Sequence, residues 1–183
     1  MATGGYVDIF LNNMREANDP KSACNNWWLI KDNYINKYRN FLPEDLLKFI
    51  EEAEVVTEED LERLRQENID LHVKDDPRVC FEFLALIPKV LYKLMHVFGY
   101  PKMRINGDGW FYYLFKYKGH FLLVSDMDGV LDIMHMTPHP KGEASKSPPQ
   151  DGAEEILNEF SDFLLKFAIT AIPLNFADTF VFL

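Results

Sequence analysis

Apolar and polar positions follow a helical rhythm through the first half of this chain and a strand-like rhythm just beyond it. Tyr6–Glu16 puts Ile9, Phe10 and Met14 on one helical face, and Ala17-Asn18-Asp19-Pro20 interrupts it, because a proline disfavours helix at the residue before it. Trp27 and Trp28, followed by Leu29, Ile30, Tyr34 and Tyr38, predict a second helix with an aromatic stripe. Core packing is the ordinary fate of such a stripe; exposed together, the two Trp would make a hot spot for a partner. Pro43 opens a third helix whose apolar side is Leu46, Leu47 and Ile50. Thr57 followed by Glu58-Glu59-Asp60 is an N-cap with acids in the first turn, and Leu61, Leu64 and Ile69 give that helix a thin inner face. The run from Arg78 to Phe98, rich in Val, Phe, Leu and Ile, predicts a central helix that Pro88 kinks or splits and Gly99 ends.

Strand rhythm takes over at Trp110–Tyr117, His120–Ser125 and Val130–Met134, joined by Lys118-Gly119 and Asp126-Met127-Asp128-Gly129. Connections this short force antiparallel neighbours, since parallel ones need a crossover. Phe111, Tyr113, Phe115 and Tyr117 alternate with Tyr112, Leu114 and Lys116, so both faces are apolar and both call for cover. Residues 137–152, with Pro138, Pro140, Pro148 and Pro149, read as an exposed mobile loop. Ala153–Phe167 then carries Ile156, Leu157, Phe160, Phe163, Leu164 and Phe167 on one helical stripe. Ile169–Leu183 is strand-like but split by Pro173. The expected fold class is α+β: an antiparallel meander sheet of about five strands flanked by the Val79–Phe98 and Ala153–Phe167 helices. A helical N-terminal segment, residues 1–76, is expected to pack on an α+β domain of residues 77–183.

Composition narrows the function. A chain of 183 residues with 48% hydrophobic and 14% aromatic positions can fill a core. A net charge of −10 argues against nucleic acid, which needs clustered Lys and Arg. The acid is concentrated: Glu44 to Asp76 holds 13 Asp/Glu against 4 Lys/Arg, a solvated face or a docking surface for a basic partner. Cys24 and Cys80 form no disulfide framework and no Cys-x-x-Cys pair. Met1-Ala2-Thr3-Gly4-Gly5-Tyr6 lacks the marks of a signal peptide, and no apolar run reaches the ~18 residues of a membrane span, so a cytoplasmic protein off the membrane is expected.

One stretch could carry chemistry. Phe121-Leu122-Leu123-Val124-Ser125-Asp126-Met127-Asp128-Gly129-Val130-Leu131 resembles the first motif of the haloacid dehalogenase superfamily of phosphohydrolases, and Phe167-Ala168-Ile169-Thr170 is similar to its apolar run ending in a hydroxyl. The resemblance implies Asp126 as the nucleophile on phosphorus, Asp128 as acid to the leaving group, Thr170 orienting phosphate, and Mg²⁺ as cofactor. Few residues follow Thr170, which leaves no room for the later Lys and paired-carboxylate motifs of that family. Its catalytic strand also belongs to a parallel sheet, whereas Asp126–Gly129 here reads equally well as a turn in an antiparallel meander. Asp132, His135 and His139 raise the question of a metal, but Thr137-Pro138 prevents a helical pair and no third ligand stands at a typical spacing. Gly-rich phosphate loops and nucleophile elbows are missing from the sequence.

Two other likenesses point to binding. Tyr113-Leu114-Phe115-Lys116-Tyr117-Lys118-Gly119, then Phe121-Leu122-Leu123-Val124, Asp126, Asp128, Leu131-Asp132-Ile133 and Leu157-Asn158-Glu159-Phe160, resemble the type III secretion chaperone-like fold that bacterial sensory-transduction-regulator domains share. Leu42-Pro43-Glu44-Asp45-Leu46-Leu47-Lys48-Phe49 is similar to the opening of SUKH-type immunity proteins. Both imply an acidic α+β binder with no catalytic residues. The reading is a non-enzymatic, cytoplasmic protein-binding module without cofactor, which presents an aromatic surface with an acidic rim to a basic protein partner. A Mg²⁺-dependent phosphohydrolase using Asp126 and Asp128 is the alternative, and a homodimer sealed by the Phe-rich terminal segment is a third reading.

Overall fold

The computed structural model describes residues 11–12, 15, 36, 38–74, 111–127, 130–139 and 148–170. In chain order the elements are a 3-10 turn at Arg39–Phe41, helix α1 (Glu44–Glu52), helix α2 (Glu58–Gln66), strands β1 (Asn68–Val73), β2 (Phe111–Tyr117), β3 (His120–Met127) and β4 (Val130–His139), and helix α3 (Ala153–Ile169). The strands form one antiparallel sheet in the order β1-β4-β3-β2.

The turn between β2 and β3 shows why this hairpin forms where the sequence places it. Tyr117 stands opposite His120, so Lys118-Gly119 is the entire connection. Both residues take positive φ, 49° and 78°, the geometry whose twist matches the flanking strands. The register then sets Tyr113 against Val124 and Phe115 against Leu122 on one face, and Leu114 against Leu123 on the other.

Both faces are covered, as the two-sided apolar pattern requires. Tyr113, Phe115, Tyr117, Leu122, Val124 and Ile133 pack in one core with Leu46 and Ile50 of α1 and with Phe160, Phe163, Leu164 and Phe167 of α3. Leu114, Phe121, Leu123, Met134 and Met136 pack in a second core with Val56 and with Leu61 and Leu64 of α2. Consecutive helices α1 and α2 therefore lie on opposite faces, and the chain between them passes around the free edge of β2. There Glu54 and Lys116 form an isolated antiparallel bridge, with the Glu54 N–H donating to the Lys116 carbonyl at 2.9 Å. A covered edge is protected against pairing with another chain.

Side chains fasten the same place. Thr57 and Asp60 form a capping box that starts α2 beside the β2 edge, and Lys116 Nζ reaches Asp60 Oδ2 at 3.1 Å and Glu54 Oε2 at 3.3 Å. Burial alone would raise the Asp60 carboxyl. Hydrogen bonds from Thr57 and Lys116 outweigh it and hold the group below its ordinary range. Helix α2 then crosses the sheet: nine residues at ~1.5 Å each match the three interstrand steps of ~4.8 Å between β2 and β1.

Strand β1 is the main departure from the sequence reading. The segment 1–76 was expected to be helical and the Thr57 helix to carry Ile69, yet α2 stops at Gln66 and Asn68–Val73 joins the sheet beside β4. Ile69 and Leu71 pack on the second core while Asp70 and His72 point to the other face, the period of two that marks a strand. Four strands are described instead of about five, and β1 at the far edge breaks the simple meander. Where the sequence reading placed the start of a loop at Thr137, β4 instead continues, with Thr137, Pro138 and His139 opposite Asp70, Ile69 and Asn68. Pro138 is tolerated since β4 has by then outrun β3, whose last partner is Met136. The Val79–Phe98 helix and the strands expected in Ile169–Leu183 lie outside the described residues, apart from Ile169, which ends α3, and Thr170, which caps it.

Two substitutions test this architecture by urea denaturation. Phe160→Ala, at a fully buried ring between α3 and the sheet, is expected to cost roughly 3–5 kcal/mol. Gly119→Ala is expected to cost about 1–2 kcal/mol although no heavy atom lies within 4 Å of the added Cβ, because the cost is conformational.

Candidate functional site

Helix α1, helix α3 and the tip of the β2–β3 hairpin enclose an open groove of about 310 Å³. Its floor is aromatic because Phe49 of α1 is stacked between Tyr117 of the hairpin and Phe163 of α3. Phe49 stacks on Tyr117 with centroids 4.3 Å apart and on Phe163 at 4.2 Å. Phe49 is half-buried, so this stack has one ring in reach of solvent. Burial raises the Tyr117 hydroxyl above its usual value and keeps it a neutral donor, with Glu52 Oε2 3.5 Å away.

The rim is ionic. Lys166 meets Asp45 at 3.2 Å, Lys118 meets Glu159 at 3.4 Å, and Lys48 meets Glu52 at 3.9 Å. The hydrogen bond from Lys166 holds Asp45 below the usual carboxylate range, and Tyr117 followed by Glu159 holds Lys118 above the usual ammonium range. Lys118 also lies over the Tyr117 ring, 5.1 Å from its centroid. Around the groove, α1 exposes Glu44, Asp45, Glu51 and Glu52 with Lys48, while α3 exposes Glu154, Glu155, Glu159 and Asp162 with Lys166. Eight acids thus face solvent against two lysines on the paired helices. Two apolar side chains stand at one end: Phe41, 50% exposed, precedes α1, and Ile169, 71% exposed, ends α3, both near the Asp45–Lys166 contact. Such a surface can hold a cationic chain and accept an apolar side chain. Among the described residues, its lining contains no Ser, Cys or His to act as nucleophile or shuttle.

The residues singled out as chemistry fall elsewhere. Asp126 occupies the end of β3, opposite Leu131 in antiparallel register, and Asp128 lies outside the described residues. Thr170 caps the C-terminus of α3, where its hydroxyl donates to the Lys166 carbonyl at 2.7 Å. Asp132 is buried on β4, its Oδ2 without a hydrogen-bond partner, and burial raises its carboxyl. His135 is fully buried within β4 and His139 sits 2.7 Å from Asp70 Oδ2. Among the described residues, no three of His, Cys, Asp or Glu stand where they could hold a metal. No helix among them is long and apolar enough to cross a membrane. The groove itself was legible only in part: the sequence marked the acidic helices, but the stacking of Phe49 between Tyr117 and Phe163 joins three distant segments. Comparison with protein-family models, curated proteins and solved structures finds no match for this chain.

The rim pairs are exposed, so each should be worth little to folding. A double-mutant cycle on Asp45→Ala and Lys166→Ala is expected to give a coupling below about 1 kcal/mol in urea denaturation at moderate salt. A larger value would mean that these charges hold the helices together.

Proposed function

We propose that this chain is a protein-binding module whose docking surface is the α1–α3 face, and that its partner presents a basic segment carrying an apolar or aromatic side chain. The observation that carries this reading is the exposed surface of the two helices, which bear eight acids against two lysines, beside a groove floored by stacked rings with Lys118 as a third lysine on its rim. Phe49, Phe41 and Ile169 are the accessible apolar anchors. Acidic residues around them would speed the encounter with a cationic partner and lower affinity for an acidic one, while the rings supply most of the binding energy. The pairs across the rim, and Arg39 paired with Glu51 at 2.6 Å, leave Glu44, Glu154 and Glu155 as the outer, more available charges. The resemblances to chaperone-like and immunity-like binders fit this reading. It is a binding surface that needs no bound cofactor.

The test uses two synthetic peptides that differ only in charge, one with a Phe or Trp flanked by Lys and Arg, the other with the same ring flanked by Asp and Glu. Fluorescence anisotropy is expected to show saturable binding of the basic peptide alone, weakening tenfold or more between low salt and 0.5 M salt as exposed charges are screened. Phe49→Ala is expected to weaken it a further tenfold or more, which corresponds to about 1.4 kcal/mol. Equal affinity for both peptides, or chemical-shift changes that map away from α1 and α3, would overturn the assignment.

A further inference from the structure

Four of the five histidines of the chain, His72, His120, His135 and His139, stand on strands β1, β3 and β4 with side chains toward the face that α3 covers. His135 is at their centre and is fully buried. Its Nε2 lies 2.7 Å from His120 Nδ1, and its Nδ1 lies 2.7 Å from Thr137 Oγ1. Thr137 Oγ1 also accepts from the backbone N–H of Gln150 at 3.3 Å, just ahead of α3. At the far end, His120 packs on the N-cap of α3: a Cβ added to Gly152 would stand 3.6 Å from His120 Nε2. A continuous line of hydrogen bonds thus runs from His120 through His135 and Thr137 to the segment that starts α3.

We propose that His120, His135 and Thr137 form a proton-sensitive latch that fastens the start of α3 to the sheet at neutral pH and releases it on acidification.

Proton counting shows how it works. The 2.7 Å gap between the two imidazoles holds one proton, so one ring donates and the other accepts, and both can be neutral. A second proton on that gap would set two N–H groups against each other and push the rings apart. A single added proton keeps the hydrogen bonds but leaves a cation that no carboxylate among the described residues compensates. From β1, His72 stands opposite His135 with its Nε2 buried and unpartnered, Asp70 is engaged with His139, and the Lys74 ammonium donates to Asn158 of α3, adding a further positive charge on this face. On β4 itself the neighbours on this face are Thr137 and Ile133. From α3 the buried residues of the first turns are Ala153, Ile156 and Leu157, while Asp151, Glu154 and Glu155 face solvent. Helix α1 contributes apolar Leu46 and Ile50 to this core, with its charges exposed, and α2 lies on the opposite face. The positive end of the α3 dipole beside His120 opposes a further charge. Burial first, then the charges of His120 and His72, lower His135 to about 4, and burial lowers His120 as well.

The sign follows from linkage. The latched state binds fewer protons than the open one, whose imidazole titrates near its ordinary value of 6.5. Latching is therefore fully favoured above that value and is lost progressively as pH falls toward about 4. For His135 alone, the closing constant drops about 20-fold between pH 7 and pH 5.

Hydrogen exchange read by NMR, corrected for the intrinsic pH dependence of exchange, tests the latch on the full chain. Protection of amides 150–156 is expected to fall about 20-fold from pH 7 to pH 5, while Leu122 and Val124 in β3 keep theirs, and the His135 ring resonance is expected to stay unshifted above pH 5. His135→Gln, which cannot titrate, is expected to remove the pH dependence at 150–156; where that variant fails to fold, His120→Gln is expected to reduce it. A His135 ring that titrates between pH 6 and 7, protection of 150–156 that is independent of pH, or a loss shared equally by β3 would each overturn the proposal.

Discussion

The β2–β3 hairpin is apolar on both faces, and the rest of the described structure follows from the need to cover it. A strand pair with Tyr113, Phe115, Leu122 and Val124 on one side and Leu114, Phe121 and Leu123 on the other cannot leave either side in water. One helix cannot serve two faces. The acidic α1–α2 segment answers by splitting: α1 takes one face with α3, and α2 takes the other. Lys116 is the pivot of that division. Its backbone pairs with Glu54 at the sheet edge and its ammonium pairs with Asp60 at the start of α2. Both partners shift in the direction that preserves charge, with Lys116 raised against the pull of burial and Asp60 lowered against its push. The pair rests on its geometry, with the Lys116 ammonium 3.2 and 3.1 Å from the two Asp60 carboxylate oxygens.

The placement of α1 and α3 on one face produces the groove as a by-product of packing. Phe49 of α1 stacks between Tyr117 and Phe163 of α3, and both helices turn their charges outward, so the seam between them is aromatic below and ionic above. A surface of that kind is suited to recognition by charge and shape. The other end of the same face has the opposite character. There β1 contributes Asp70 and His72 where β2 and β3 contribute aromatics and aliphatics, and a polar cluster is sealed beneath the start of α3. Helix α3 therefore borders the ionic, aromatic groove at one end and covers the histidine cluster at the other.

The sequence by itself determined the local decisions in this protein. Positive-φ residues at Lys118-Gly119, the capping pair Thr57 and Asp60, the apolar stripe of Ala153–Phe167 and the two-sided pattern of the strands each act within a few residues, so α1, α2, α3 and the hairpin could be read directly. Strand β1 escaped because Asn68–Val73 is short and continuous with a helix, and its pairing energy comes from β4, more than sixty residues on. The tertiary structure alone decided which polar groups meet. His72, His120 and His135 come from three strands, and Phe49, Tyr117 and Phe163 from a helix, a hairpin and a second helix. Sequence periodicity tells which face a residue occupies, but only register and layer order place two such faces in contact, because those depend on long-range burial that no local pattern encodes.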